Sequence, residues 1–140
     1  MFSKDCLFLI DNESRIVEAI RSDTIYYERS YLRGQRHGVE CEYINGQRTY
    51  YCAWKNNNRN GKKRLWYENG QKSYECNCNI FLNGLERHWY EGGEKEFECN
   101  WINGYKDGKA MRWFRDGRIM NIIHWNHGKL MRIGIQCENK

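Results

Sequence analysis

Between residues 61 and 78 the chain reads GKKRLWYENGQKSYECNC. Leu65, Trp66 and Tyr67 form an aromatic-rich run before Asn69-Gly70, and Tyr74, Cys76 and Cys78 alternate with polar positions beyond it. A period of two is the mark of a half-buried β-strand. Asn-Gly between two such runs is a strong hairpin signal, because a two-residue type I′ turn needs positive φ at both central positions. The segment therefore predicts two antiparallel strands closed by Asn69-Gly70, with both residues at positive φ.

The same pattern returns as GLERHWYEGGEKEFECNW and as GKAMRWFRDGRIMNIIHW. Leading glycines stand at Gly38, Gly61, Gly84 and Gly108, and turn pairs at Asn45-Gly46, Asn69-Gly70, Gly92-Gly93 and Asp116-Gly117. Eight residues past the turn glycine comes a ring, Trp54, Trp101 or Trp125, except that the unit beginning at Gly61 has Cys78 there. The frame extends backward to a degenerate first unit, in which Arg15 replaces the leading glycine and Ser22-Asp23 falls at the turn. Segment 14–21 could suit a helix, but it is short and the repeat frame overrides it. The expected fold is all-β: a single elongated antiparallel meander of five stacked hairpins over 15–31, 38–54, 61–78, 84–101 and 108–125. Residues 1–14 and 126–140 supply capping strands within the same domain, because a repeat array needs closed ends.

Direct cross-strand partners share a face. Two-residue turns would pair residue 67 with 72, 65 with 74 and 63 with 76. One face then collects the columns Ile20, Tyr43, Tyr67, Tyr90, Phe114; Tyr27, Tyr50, Tyr74, Phe97, Asn121; and Arg29, Cys52, Cys76, Cys99, Ile123. The opposite face holds Trp66, Trp89 and Trp113 among charged neighbours such as Arg64, Arg87 and Glu75. Rings of this kind either cover the back of the sheet or form a stripe that docks a partner protein, as Trp beside Arg suits an interface anchor. A three-residue turn with a bulge would exchange the two faces.

Composition narrows the chemistry. The chain has 140 residues, 15% aromatic and 29% charged, with 13 Gly and no Pro, and a net charge of +5. Disorder is excluded by this balance, and the core must rest on rings more than on aliphatic volume. Seven cysteines, with no visible signal segment, point to free thiols in a reducing, intracellular and non-secreted setting. Cys52, Cys76 and Cys99 recur two strands apart, too far for a disulfide or a shared zinc. The Cys76-Asn77-Cys78 triplet is read as alternating between faces. His37, His88, His124 and His127 are scattered, and only the His124/His127 pair hints at a metal. No nucleophile or phosphate-loop motif is legible, so neither an enzyme nor a cofactor is expected. Basic residues gather in LRGQRHG, KNNNRNGKKR and YKDGKAMR. They suit either a solvated sheet edge or contact with anionic lipid or nucleic acid.

In NGKKRLWYENGQKSYECN and WINGYKDGKAMRWFRDG the chain resembles the MORN repeat family, in its variant of about 23 residues found in antitoxin-like proteins and large DNA viruses. The matching positions are the leading and turn glycines (Gly38, Gly61, Gly84, Gly108; Gly46, Gly70, Gly93, Gly117) and the aromatic pairs Trp66-Tyr67, Trp89-Tyr90 and Trp113-Phe114, across residues 31–128. Arg15, Asp23 and Cys78 depart from the pattern. The resemblance implies a non-catalytic scaffold or protein-binding module, with some members linked to membranes. Two further roles remain open with it: a component of a virus particle or other larger assembly, and an antitoxin that masks a toxin.

Overall fold

The computed structural model describes residues 5–10 and 15–134. Their strands are β1 Asp5–Ile10, β2 Arg15–Arg21, β3 Ile25–Leu32, β4 Gln35–Ile44, β5 Gln47–Lys55, β6 Asn58–Trp66, β7 Lys72–Cys78, β8 Gly84–Trp89, β9 Lys95–Ile102, β10 Tyr105–Lys106, β11 Gly108–Trp113, β12 Ile119–Asn126 and β13 Lys129–Gly134. They form one open antiparallel sheet in chain order, and the two-residue β10 extends the pairing of β9. The fold is all-β, as the repeat requires, with no helix among the described residues. Of the segment open to a helical reading, 14–21, the described residues 15–21 form β2. The far end of the C-terminal capping segment, 135–140, lies outside the described residues.

The turns differ from the expectation in an instructive way. Asn45-Gly46 is the two-residue turn, with φ of 51° and 79°, and Ile44 pairs directly with Gln47. At Asn69-Gly70 only Gly70 has positive φ (84°). Its N–H donates to the Tyr67 carbonyl at 3.0 Å, and the Tyr67 N–H donates to Gln71 at 2.9 Å. This is a three-residue loop of type I with a glycine bulge, so residue 67 stands opposite 71 and not 72. The loops at Gly93 and Gly117 repeat the same bonds. A second irregularity between Leu65 and Trp66 then restores the register, so that Leu65 pairs with Tyr74 and Lys63 with Cys76. The faces therefore do not exchange along most of the sheet.

Apart from Asn45-Gly46, the pairs that close as two-residue turns with both φ positive lie between the hairpins: Arg33-Gly34, Asn56-Asn57, Asn103-Gly104 and His127-Gly128. With these tight turns joining the hairpins, β2 to β9, β11 and β12 each pair on both sides, and β1 and β13 form the edges of the described sheet.

One column member moves to the opposite face. Eight residues separate Gly38 from Gly46, against nine in each of the next three hairpins. The compensating shift falls between Glu42 and Tyr43, so Glu42 pairs with Tyr50 while Tyr43 pairs with Arg48. Tyr43 thus stands in the row of Trp66, Trp89 and Trp113, five residues past its leading glycine.

A single sheet has no second layer, so burial comes only from neighbours leaning over small side chains. That is why the most buried side chains are Cys52, Cys76 and Cys99, flanked two residues away by Tyr50 and Trp54, Tyr74 and Cys78, and Phe97 and Trp101. The thiols act here as small hydrophobes. Cys52 and Cys76 both pair with Lys63 from opposite sides, which places them two strands apart. Among the described residues Cys41, Cys52, Cys76, Cys78 and Cys99 are free.

Candidate interaction faces

On the cysteine face, each hairpin places the residue two past its leading glycine directly opposite the cysteine column. The pairs are Glu40–Cys52, Lys63–Cys76, Glu86–Cys99 and Ala110–Ile123. The glycine itself stands opposite the ring position: Gly38–Trp54, Gly61–Cys78, Gly84–Trp101 and Gly108–Trp125. All four leading glycines have positive φ, and at Gly38 a Cβ would also lie 3.1 Å from the Ser30 Cβ.

Glu40 is 5% exposed and fully engaged. The Tyr27 hydroxyl donates to its Oε1, as does Arg29 Nε at 3.1 Å, while Trp54 Nε1 donates to Oε2 at 2.8 Å. Arg36 approaches the same oxygen at 3.5 Å. Burial alone would raise the Glu40 carboxyl, but the Tyr27 hydroxyl and the two guanidinium groups outweigh it and hold the group below the usual glutamate range. Glu86 repeats the arrangement more simply, accepting from Trp101 Nε1 at 2.7 Å and facing His88 Nε2 at 3.0 Å. Its carboxyl is likewise held down, by His88 and Trp101 against burial. Trp125 has no such acceptor. Ala110 stands where the glutamates stand, Ile123 fills the space, and the buried Trp125 Nε1 is without a hydrogen-bond partner.

The Cys76-Asn77-Cys78 triplet corrects the sequence reading. Residues two apart on a strand share a face, and Cys76 opposite Lys63 and Cys78 opposite Gly61 both lie on the cysteine face, both buried. A hydrogen bond from Cys78 favours the Cys76 thiolate and holds Cys76 down at about 7, while the same bond, with burial, pushes Cys78 up.

The opposite face carries one row that alternates rings and cations. Tyr26 packs on Tyr43 at 5.7 Å between centroids. Arg48, paired with Tyr43, lies 5.2 Å from that ring and 5.8 Å from Trp66. Trp66 pairs with Lys72, whose ammonium rests 5.1 Å from Trp89. Trp89 pairs with Lys95, whose ammonium rests 5.1 Å from Trp113. Each cation thus caps the ring of the next hairpin, within the range of a cation–π contact. Glu75 ties Lys72 (3.2 Å) to Arg64 (2.7 Å), and Glu98 ties Lys95 (3.2 Å) to Arg87 (2.8 Å). Burial opposes ionisation of both glutamates, yet Arg64 with Lys72 and Arg87 with Lys95 hold them below the usual range. The row ends at Ile119, opposite Trp113.

The three tryptophans singled out from the sequence, Trp66, Trp89 and Trp113, are half-buried and share this row. The sequence reading missed Tyr43 as its fourth ring and missed the Glu40 and Glu86 networks. A signal for the latter was present in Gly-x-Glu at 38–40 and 84–86, against Gly-x-Lys at 61–63 and Gly-x-Ala at 108–110. His124 and His127 do not converge: His124 meets Arg132 and His127 meets Asp107. Among the described residues no helix is long and apolar enough to cross a membrane. No protein-family model and no curated protein matches the chain.

Proposed function

We propose that this chain is a non-enzymatic, MORN-type interaction module that docks a partner protein on the row Tyr43, Trp66, Trp89 and Trp113, as a scaffold element of a larger assembly. The observation that carries this reading is the continuity of the row. Rings and cations alternate strand by strand across several hairpins, presenting half-buried anchors to an extended surface. Interface energy concentrates in such aromatic and arginine anchors.

The charge pattern favours protein over polyphosphate. Lys72 and Lys95 are already held by Glu75 and Glu98, so the row offers mixed charge rather than a track of free cations. Binding that neutralises phosphates weakens steeply with salt. Chemical crosslinking in the native source, followed by identification of the crosslinked peptides, tests the reading. Crosslinks from Lys72 and Lys95 to one protein, retained as salt rises from 50 to 300 mM, support it. Crosslinks confined to the turns, or association that disappears at the higher salt, overturn it.

A further inference from the structure

The hairpin over 61–78 breaks the repeat twice on the cysteine face, and the two breaks adjoin. Cys78 replaces the indole found at Trp54, Trp101 and Trp125, and Lys63 replaces the carboxylate found at Glu40 and Glu86. Where the missing ring would lie there is an open cavity of about 390 Å³, lined by Trp54, Arg59, Lys63, Tyr74, Cys78 and Ile80 among others. That volume is in the range of small-molecule sites.

The charges in this cavity are unmatched. Lys63 and Arg59 make no ion pair with a carboxylate among the described residues. Their contacts are with rings: Lys63 Nζ lies 6.0 Å from Tyr50 and 5.6 Å from Tyr74, and Arg59 lies 5.7 Å from Trp54. The flanking carboxylates of the same column are occupied, Glu40 by Tyr27, Arg29, Arg36 and Trp54, and Glu86 by His88 and Trp101. Two cations thus face a cleft with aromatic walls, and the cleft exists because a ring is absent.

We propose that this cavity binds a small organic anion whose flat apolar body takes the place of the missing indole and whose carboxylate takes the place of the missing glutamate. Lys63 and Arg59 would hold the charge, and Trp54 and Tyr74 would enclose the ring. The site is independent of the tryptophan row, which lies on the other face.

Amide chemical shifts of the whole chain, followed during titration with benzoate, test the proposal. Benzyl alcohol supplies the ring without the charge, and acetate the charge without the ring. Saturable shifts at Arg59, Lys63, Tyr74 and Cys78 with benzoate, at least tenfold weaker with either control, are expected. Lys63→Gln should weaken benzoate at least fivefold. The double substitution Lys63→Glu with Cys78→Trp restores the repeat as it stands at Glu86 and Trp101, and should fold and lose the response. Equal response to benzyl alcohol would make this an apolar cleft only. No saturable response, an unchanged affinity in Lys63→Gln, or a response that survives the double substitution would each overturn the site. Should the double variant not fold, the Lys63→Gln comparison decides.

Discussion

The indole N–H of Trp101 donates to the Glu86 carboxylate at 2.7 Å, across a pairing in which Gly84 lies opposite Trp101 and Glu86 opposite Cys99. The bond joins the two large polar features of one hairpin over a cysteine too small to separate them. Glu86→Ala leaves the indole N–H without its acceptor, and a group orphaned in this way costs about 1–3 kcal/mol. Urea unfolding should show that loss, with Glu86→Gln losing less because an amide oxygen still accepts. Equal losses would mean that the bond contributes nothing beyond side-chain volume.

The last hairpin offers the converse experiment. Trp125 lacks an acceptor because Ala110 and Ile123 replace the glutamate and cysteine of its neighbours. Ala110→Glu alone crowds Ile123 and should destabilise by about 1–3 kcal/mol. Adding Ile123→Cys should recover most of that loss, giving a favourable coupling of about 0.5–3 kcal/mol in a double-mutant cycle. Additive effects would show that the Glu–Cys–Trp arrangement cannot be transplanted along the array.

Adjacent glycines should respond differently to alanine. Gly93 has φ of 94° whereas Gly92 does not lie in the left-handed region. Gly93→Ala should destabilise by about 1 kcal/mol. Gly92→Ala should be neutral or stabilising by about 0.4–1 kcal/mol, since its new methyl meets only the mobile end of Glu94. A two-residue type I′ turn would make both substitutions harmful, and melting temperatures distinguish the cases.

Four glutamates set the acid limb of stability. Glu40, Glu75, Glu86 and Glu98 all have folded-state carboxyls held below their ordinary value. A group with a depressed folded pKa contributes stability that is fully present above its unfolded value, near 4.3, and is lost as pH falls through the folded value. Urea midpoints should therefore be flat from pH 7 to about pH 5 and then decline, with a shallower decline in Glu40→Gln. A midpoint unchanged down to pH 3 would contradict the networks.

Much of this architecture was legible because hairpin period and side-chain alternation are local properties. The faces of Tyr74, Cys76 and Trp66 followed from the spacing even though the turn at Gly70 is of another type, since the glycine bulge and the irregularity beside Trp66 cancel. Tyr43 was placed on the wrong face because a single-residue difference in spacing between Gly38 and Gly46 shifts register, and one residue inverts a strand. The Asn56-Asn57 turn carries no glycine to mark it, although asparagine tolerates the left-handed region. The cavity beside Lys63 was not legible: it depends on Cys78 and Lys63 being neighbours across the strand pair, which the separate departures from the repeat do not announce.

Trp89→Ala, scored for both thermal unfolding and retention of the crosslinked partner, tests the central claim most directly. Trp89 is half-buried under Lys72, and the hydrogen bond that the Tyr67 hydroxyl donates to the Trp89 backbone carbonyl at 2.7 Å does not depend on the indole. The variant should fold with a modest fall in melting temperature and lose partner affinity by about 2 kcal/mol or more, as an interface anchor does. A folded variant that retains the partner at full affinity, or a chain that no longer folds, would contradict the assignment of this row as the docking face.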